Sequence, residues 1–160
     1  MTVHDARVDG FGRYFEEFVV GDVYRHWPGR TITEAEDHLF CMLTSAMSPV
    51  HVDAHYAKES MAGGRNLVVG TFVYSTLLGM SVPDTSGKAI AALGTERLRH
   101  VAPLYHGDTL YGESTVVEAR RSRSRPGTGV VTIDTVGRNQ DQVVVCEFRR
   151  SFLVPLGDGA

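Results

Sequence analysis

Leu67-Val68-Val69-Gly70-Thr71-Phe72-Val73-Tyr74-Ser75-Thr76-Leu77-Leu78-Gly79-Met80 is the most apolar stretch of the chain. Its apolar residues fall on nearly every face of a helical projection, relieved only by glycines and small hydroxyl residues. That pattern predicts a helix enclosed on all sides rather than one lying on a surface. The stretch is shorter than the roughly 20 residues that cross a bilayer, so it belongs to a protein core. Beyond Pro83-Asp84 the period falls to two, predicting strands at 88–93, 95–101, 109–118, 129–136 and 143–154. In the last of these Val144, Cys146, Phe148, Phe152 and Val154 share a face, with Arg150 its only polar exception. Gly137-Arg138-Asn139-Gln140-Asp141 reads as a hairpin turn. Helices followed by strands argue for an α+β domain, an antiparallel sheet packed on a helix.

Working back toward the N-terminus, Thr33 and Glu36 form a capping-box pattern ahead of Ala35, Leu39, Met42, Leu43 and Ala46, which predicts an amphipathic helix. A second, short helix is expected from Asp53, a cap for the amides of Ala54-His55-Tyr56, and it ends by Gly63-Gly64. Segments 22–26 and 30–33 are candidates to complete the sheet. Residues 1–10 lack periodicity and 156–160 offer little to pack, so one domain is expected over 11–155 with flexible termini.

The composition agrees with one soluble domain. Of 160 residues 42% are apolar and 22% charged, and a chain of this size buries roughly 70% of its unfolded surface without needing a disulfide or a metal. Cys41 and Cys146 have no paired spacing and read as small buried hydrophobes in a reducing compartment. A net charge of −3 provides no positive field for nucleic acid. No run of 7–15 apolar residues opens the chain as an export signal would, and a cytoplasmic location without membrane attachment is expected. Phosphate-binding glycine loops and the Gly-x-Ser-x-Gly elbow do not occur.

The stretch that carries chemistry joins the first two helices: Ser45-Ala46-Met47-Ser48-Pro49-Val50-His51-Val52-Asp53-Ala54-His55-Tyr56-Ala57. Pro49-Val50-His51, the following Asp53 and Tyr56-Ala57 resemble the signature loop of the MaoC-like acyl-CoA hydratases and dehydratases, the R-specific enoyl-CoA hydratase superfamily. Residues 11–22 are similar to that family's entry segment. Val69-Gly70-Thr71 is similar to the start of its central helix, and the stretch from Pro103 to Leu110 to its turn-and-strand motif. Gly12-Arg13-Tyr14-Phe15-Glu16 and Arg30-Thr31-Ile32-Thr33-Glu34 look most like the mesaconyl- and itaconyl-CoA branch. The resemblance implies a single hot-dog domain, an antiparallel sheet wrapped around a long central helix. It also implies a homodimer or higher homo-oligomer, an acyl-CoA substrate, and no cofactor beyond the coenzyme A of that substrate.

Hydration of an enoyl thioester needs a base for the water, an acid for the α-carbon and donors for the enolate oxygen. In the resembling enzymes an Asp five residues before the loop His works beside it, with an Asn two residues after that Asp; here Ala46 and Ser48 hold those places. His51 is read as the acid/base, or as a structural histidine bonded to loop backbone. Asp53 is a helix cap, or it orients His51, or it replaces the missing carboxylate if the loop folds back. Ser48 is a water-holding hydroxyl or a turn residue. Gly70 and Thr71 are expected to offer helix N-terminal amides to the enolate, or Gly70 merely permits a close approach. Gly94 offers a backbone group to the acyl part, or marks a bulge. The cluster from Arg120 to Arg125 suits coenzyme A phosphates or a second substrate carboxylate, or is a solvated hairpin loop. His51, His55 and Glu59 at i, i+4 and i+8 raise a metal site, but no second cluster completes a ligand set; no metal is expected. The expected activity is hydration or dehydration of a short enoyl-CoA, branched and dicarboxylic acyl groups included. The alternative suggested by Ala46 is a hot-dog protein that binds an acyl thioester, supports an active partner subunit or closes a ring by conjugate addition.

Overall fold

A computed structural model of the chain describes residues 1–5 and 10–157. The strands are β1 (Val3–Asp5), β2 (Val23–Arg25), β3 (Arg30–Thr31), β4 (Ala91–His100), β5 (Thr109–Arg121), β6 (Thr128–Arg138) and β7 (Val144–Pro155). The helices are α1 (Glu34–Thr44), α2 (Pro49–Val52), α3 (Ala54–Ser60) and α4 (Gly70–Ser81). The sheet runs β1-β2-β5-β6-β7-β4, with β3 also on β5. Every pairing is antiparallel except β1 on β2. The two strands expected at 88–93 and 95–101 are one strand, β4, whose register shifts between Ala92 and Gly94 and again between Glu96 and Arg99. Those irregularities break the period-two pattern, which is why one strand reads as two.

The sheet curls about α4, as the apolar stretch requires. Val73 and Leu77 are buried in a core with Ile32, Val68, Leu104, Leu110, Val145, Cys146 and Phe148. Leu77 seats on a cross-strand pair of glycines, Gly112 of β5 opposite Gly137 of β6. A Cβ at Gly137 would lie 2.4 Å from Leu77 Cδ1, so the absent side chains let the helix approach the strands. The helix is not enclosed on all sides, however. Thr71, Ser75 and Gly79, spaced four apart, form an exposed stripe, because the sheet covers one side of α4 and the described residues leave the stripe uncovered.

The termini also differ from expectation. Val3–Asp5 adds a parallel strand through backbone bonds such as Val23 N–H to Thr2 O, 3.0 Å, and three residues are too few for periodicity to reveal this. Leu156 and Gly157 are tied to Gly127 O and to Glu16 Oε2. Residues 6–9 and 158–160 lie outside the described residues.

The capping box of α1 forms as predicted: Thr33 Oγ1 accepts from Glu36 N and Glu36 Oε2 accepts from Thr33 N. Its apolar stripe does not pack. Leu39, Met42 and Leu43 are exposed, and the buried positions are Asp37 and Cys41. The helix turns its polar stripe inward because Asp37 finds hydrogen-bond partners there, described below.

Arg150, the polar exception on the inner face of β7, is 6% exposed at the C-terminal end of α4. Its Nη2 donates to Ser81 Oγ at 2.7 Å and Ser86 Oγ at 3.0 Å, where the carbonyl end of the helix favours a cation. Burial pushes its pKa down to about 10. Beneath it His26 Nδ1–H donates to Asp84 Oδ2 at 2.8 Å, and His26 Nε2 is 2.8 Å from Ser114 Oγ. Ser114 Oγ in turn is 2.7 Å from Thr135 Oγ1. The order Asp-His-Ser matches an acyl-transfer triad, but all three residues are buried, so no substrate reaches Ser114 and the chain ties β2, β5 and β6 to the end of α4.

Candidate active site

The loop that resembles the signature motif is built from local rules. Pro49 opens α2 at its first helical position, where its missing N–H costs nothing. The one-turn helix that Pro49 starts carries His51. His51 Nδ1 is 2.7 Å from the Leu67 carbonyl oxygen. A carbonyl only accepts, so Nδ1 carries the proton and Nε2 is left with the lone pair of a base. Backbone bonds lock the two segments together: Leu67 N–H donates to Val50 O, and Asn66 Nδ2 to the carbonyls of Val50 and Asp53.

Three residues bring a second polar group to this place. Asp37 of α1 is fully buried, with Oδ1 accepting from Val69 N–H at 3.1 Å and Oδ2 2.8 Å from His106 Nε2. His38, the next residue, has Nε2 3.1 Å from the His51 carbonyl oxygen and its ring edge-on to His106. The residue triplet therefore clamps α1, the α2 loop, the lead-in to α4 and the turn at 105–108. Asp108 closes that turn. Its burial opposes the charged form, yet hydrogen bonds from Tyr105 N–H, Arg65 and Gln140 outweigh this and hold the carboxyl below the usual carboxylate range.

The lead-in delivers Gly70 as the first residue of α4. The first helical bonds run from Phe72 and Val73 to Val69 O, so the amides of Gly70 and Thr71 have no protein acceptor among the described residues and lie at the positive end of the helix. A cavity of about 390 Å³ opens here, walled by Leu67, Gly70, Val73, His100, Leu104 and Val145 among others. His51 meets it through Leu67, whose carbonyl it holds.

Of the residues singled out from sequence, His51, Gly70 and Thr71 are brought to this region. Asp53 is instead turned away: its Oδ1 accepts from Tyr56 N–H at 2.9 Å, capping α3, and no hydrogen bond joins it to His51. Ser48 caps nothing with its hydroxyl, and its carbonyl accepts from His51 N–H. Gly94 lies at the β4 bulge, on a separate cavity with Tyr74, Leu78 and Arg150. His55 pairs with Glu59 at the surface, and among the described residues no group of three His, Cys, Asp or Glu is placed to hold a metal. Arg120 pairs with Glu118, leaving the basic loop a solvated hairpin end. Asp37, His38, His100 and His106 were not legible beforehand, although a carboxylate at i−4 from buried Cys41 is the kind of misfit that marks a polar role.

Asp53 yields a direct prediction. Asp53→Ala removes the α3 cap and lowers stability by about 1 kcal/mol in chemical denaturation, whereas Asp53→Asn keeps both the cap and the activity. Lost turnover in the Asn variant would restore Asp53 to the chemistry.

A family model described as mesaconyl-CoA hydratase matches residues 2–159. The chain belongs to the mesaconyl-CoA hydratase family. Within that family it is 35% identical over 143 residues to the beta-methylmalyl-CoA dehydratase of Chloroflexus aurantiacus, covering 89% of this chain and 40% of the relative. The crystal structure of a MaoC domain dehydratase from the same organism superposes with a TM-score of 0.85 at 34% identity, over 93% of this chain and 42% of that one. A Mycobacterium tuberculosis protein described as a double hot-dog fold matches with a TM-score of 0.79 at 24% identity, over 93% of this chain and 46% of its own, and supports the fold alone. The hot-dog architecture expected from the signature loop is thus the observed one. This family member spans about two fifths of the length of the curated relatives it matches.

Proposed function

We propose that this chain is a carbon–oxygen lyase that adds or removes water across the α,β-bond of a short enoyl-CoA, branched or dicarboxylic. The observation that carries the reading is the His51 Nδ1 bond to Leu67 O, which leaves the lone pair on Nε2 and ties the ring to the residue three positions before Gly70, the first residue of α4. In the hydration direction His51 Nε2 takes a proton from water as its oxygen bonds the β-carbon, and the α4 amides hold the thioester oxygen as enolate charge develops. The curated relatives named for mesaconyl-CoA hydration and β-methylmalyl-CoA dehydration support this class. The experiment is to incubate the protein with crotonyl-CoA, mesaconyl-CoA and itaconyl-CoA and follow enoyl absorbance with product mass; absence of any water-shifted product would sink it.

Ala46 favours a second reading, a subunit that binds an acyl thioester or supports an active partner. Co-purification with a second MaoC-like chain, and silence of the isolated protein, would select it.

The assembly proposed is a homodimer or higher homo-oligomer. Leu39, Met42 and Leu43 of α1 and Met47 beyond it are 53–77% exposed, and β4 is exposed over nearly its whole length with one side unpaired; apolar surface and open edges of this kind are covered in native proteins. Leu43→Glu is expected to halve the mass seen by light scattering, and an unchanged mass would remove α1 from the interface.

A further inference from the structure

With Ala46 in place of a carboxylate, His51 has no neighbour to exchange protons with the α-carbon. Such a group must stand close to the thioester oxygen, because the α-carbon is one bond from the carbonyl carbon. One side chain does. The ring of His100, at the end of β4, covers the face of Gly70: a Cβ built there would lie 2.8 Å from His100 Nε2 and 2.9 Å from Cε1. Both residues wall the same cavity of about 390 Å³, and no hydrogen bond to either His100 ring nitrogen occurs among the described residues. An imidazole without a partner beside two helix amides without acceptors is the juxtaposition the hydration chemistry needs.

We infer that His100 is the second acid/base of this site and exchanges the proton of the substrate α-carbon, the place in the reaction that Ala46 leaves empty. The inference rests on the hydratase reading above. In hydration His51 Nε2 accepts one proton of water while the water oxygen bonds the β-carbon; the π pair moves to the α-carbon, and the His100 imidazolium N–H delivers a proton there. His51 then returns its proton to solvent and His100 regains one, so the balance closes with water alone consumed. Dehydration is the reverse. The groups around His100 are buried or engaged with other partners. Cys146 lies opposite on β7, its thiol pushed up to about 11 by burial. Arg99 and Glu147 pair with each other at 3.0 Å. His106 is held by Asp37 and Tyr105 lies under Arg65, and α4 contributes backbone only at Gly70 and an apolar side chain at Val73.

The test compares the intact protein with His100→Gln and His100→Asn on whichever thioester the wild type hydrates. Both variants are expected to lose about 100-fold in kcat with KM within threefold, and to lose the alkaline limb of the kcat–pH profile, which reports an acid that must be protonated. Unfolding midpoints equal to wild type show that the fold is kept. If His51→Ala abolishes turnover while both His100 variants keep wild-type kcat and the alkaline limb, His100 only packs on Gly70 and the inference falls alone. If the wild type hydrates nothing, the hydratase reading falls and the role of His100 with it.

Discussion

His51→Ala is expected to lower turnover of an accepted enoyl thioester by about 10²–10⁴-fold, the range that a positioned acid/base contributes. The imidazole is oriented by one bond, Nδ1–H to Leu67 O at 2.7 Å, and neither nearby carboxylate is free to take its place. Asp53 caps α3 and Asp37 is committed to Val69 N–H and His106. His51 is only half-buried, so its truncation leaves no large cavity and the fold should survive, with an unchanged circular dichroism spectrum. The measurement is single-turnover decay of enoyl absorbance for both proteins. A variant within tenfold of wild type would return His51 to a structural role, holding the loop to Leu67.

The largest stability effect is expected at Asp84. Asp84→Ala removes the acceptor of His26 Nδ1–H, in a pair whose side chains are 0% and 1% exposed. The backbone carbonyl of Asp84 also accepts from Arg13 Nε, and Arg150 stands near enough to feel the carboxylate charge. Breaking a buried pair from one side costs about 3–5 kcal/mol, because the remaining partner stays desolvated. Urea unfolding should show that loss as a lower midpoint with an unchanged slope. Replacing Ser114 with Ala in the same series should cost less, since it removes a neutral hydroxyl from the middle of the chain. Equal stability of Asp84→Ala and wild type would show that this buried cluster contributes nothing net.

What the sequence made legible was local. The Thr33/Glu36 capping box, the Asp53 cap, the turn near Asn139 and the long strands β5 to β7 all depend on residues a few positions apart, and all are found. The family motif added the hot-dog wrap. What stayed hidden is non-local. Asp37 and His106 are 69 positions apart, and His100 reaches Gly70 only because β4 ends beside α4. The orientation of α1 was hidden for a different reason. Its apolar stripe predicts inward packing, and only the partners of Asp37 reveal that the polar stripe is the buried one.

The histidine of this loop takes its tautomer from a main-chain carbonyl, and that has an evolutionary side. No point substitution deletes a carbonyl, so the residue at position 67 can change size or shape while the base keeps its proton on Nδ1. The same residue walls the cavity at the start of α4. On the proposed function, cavity shape and histidine tautomer are thus separately editable: a lineage can reshape the pocket through the side chain at 67 without passing through an intermediate whose His51 has lost its orienting bond.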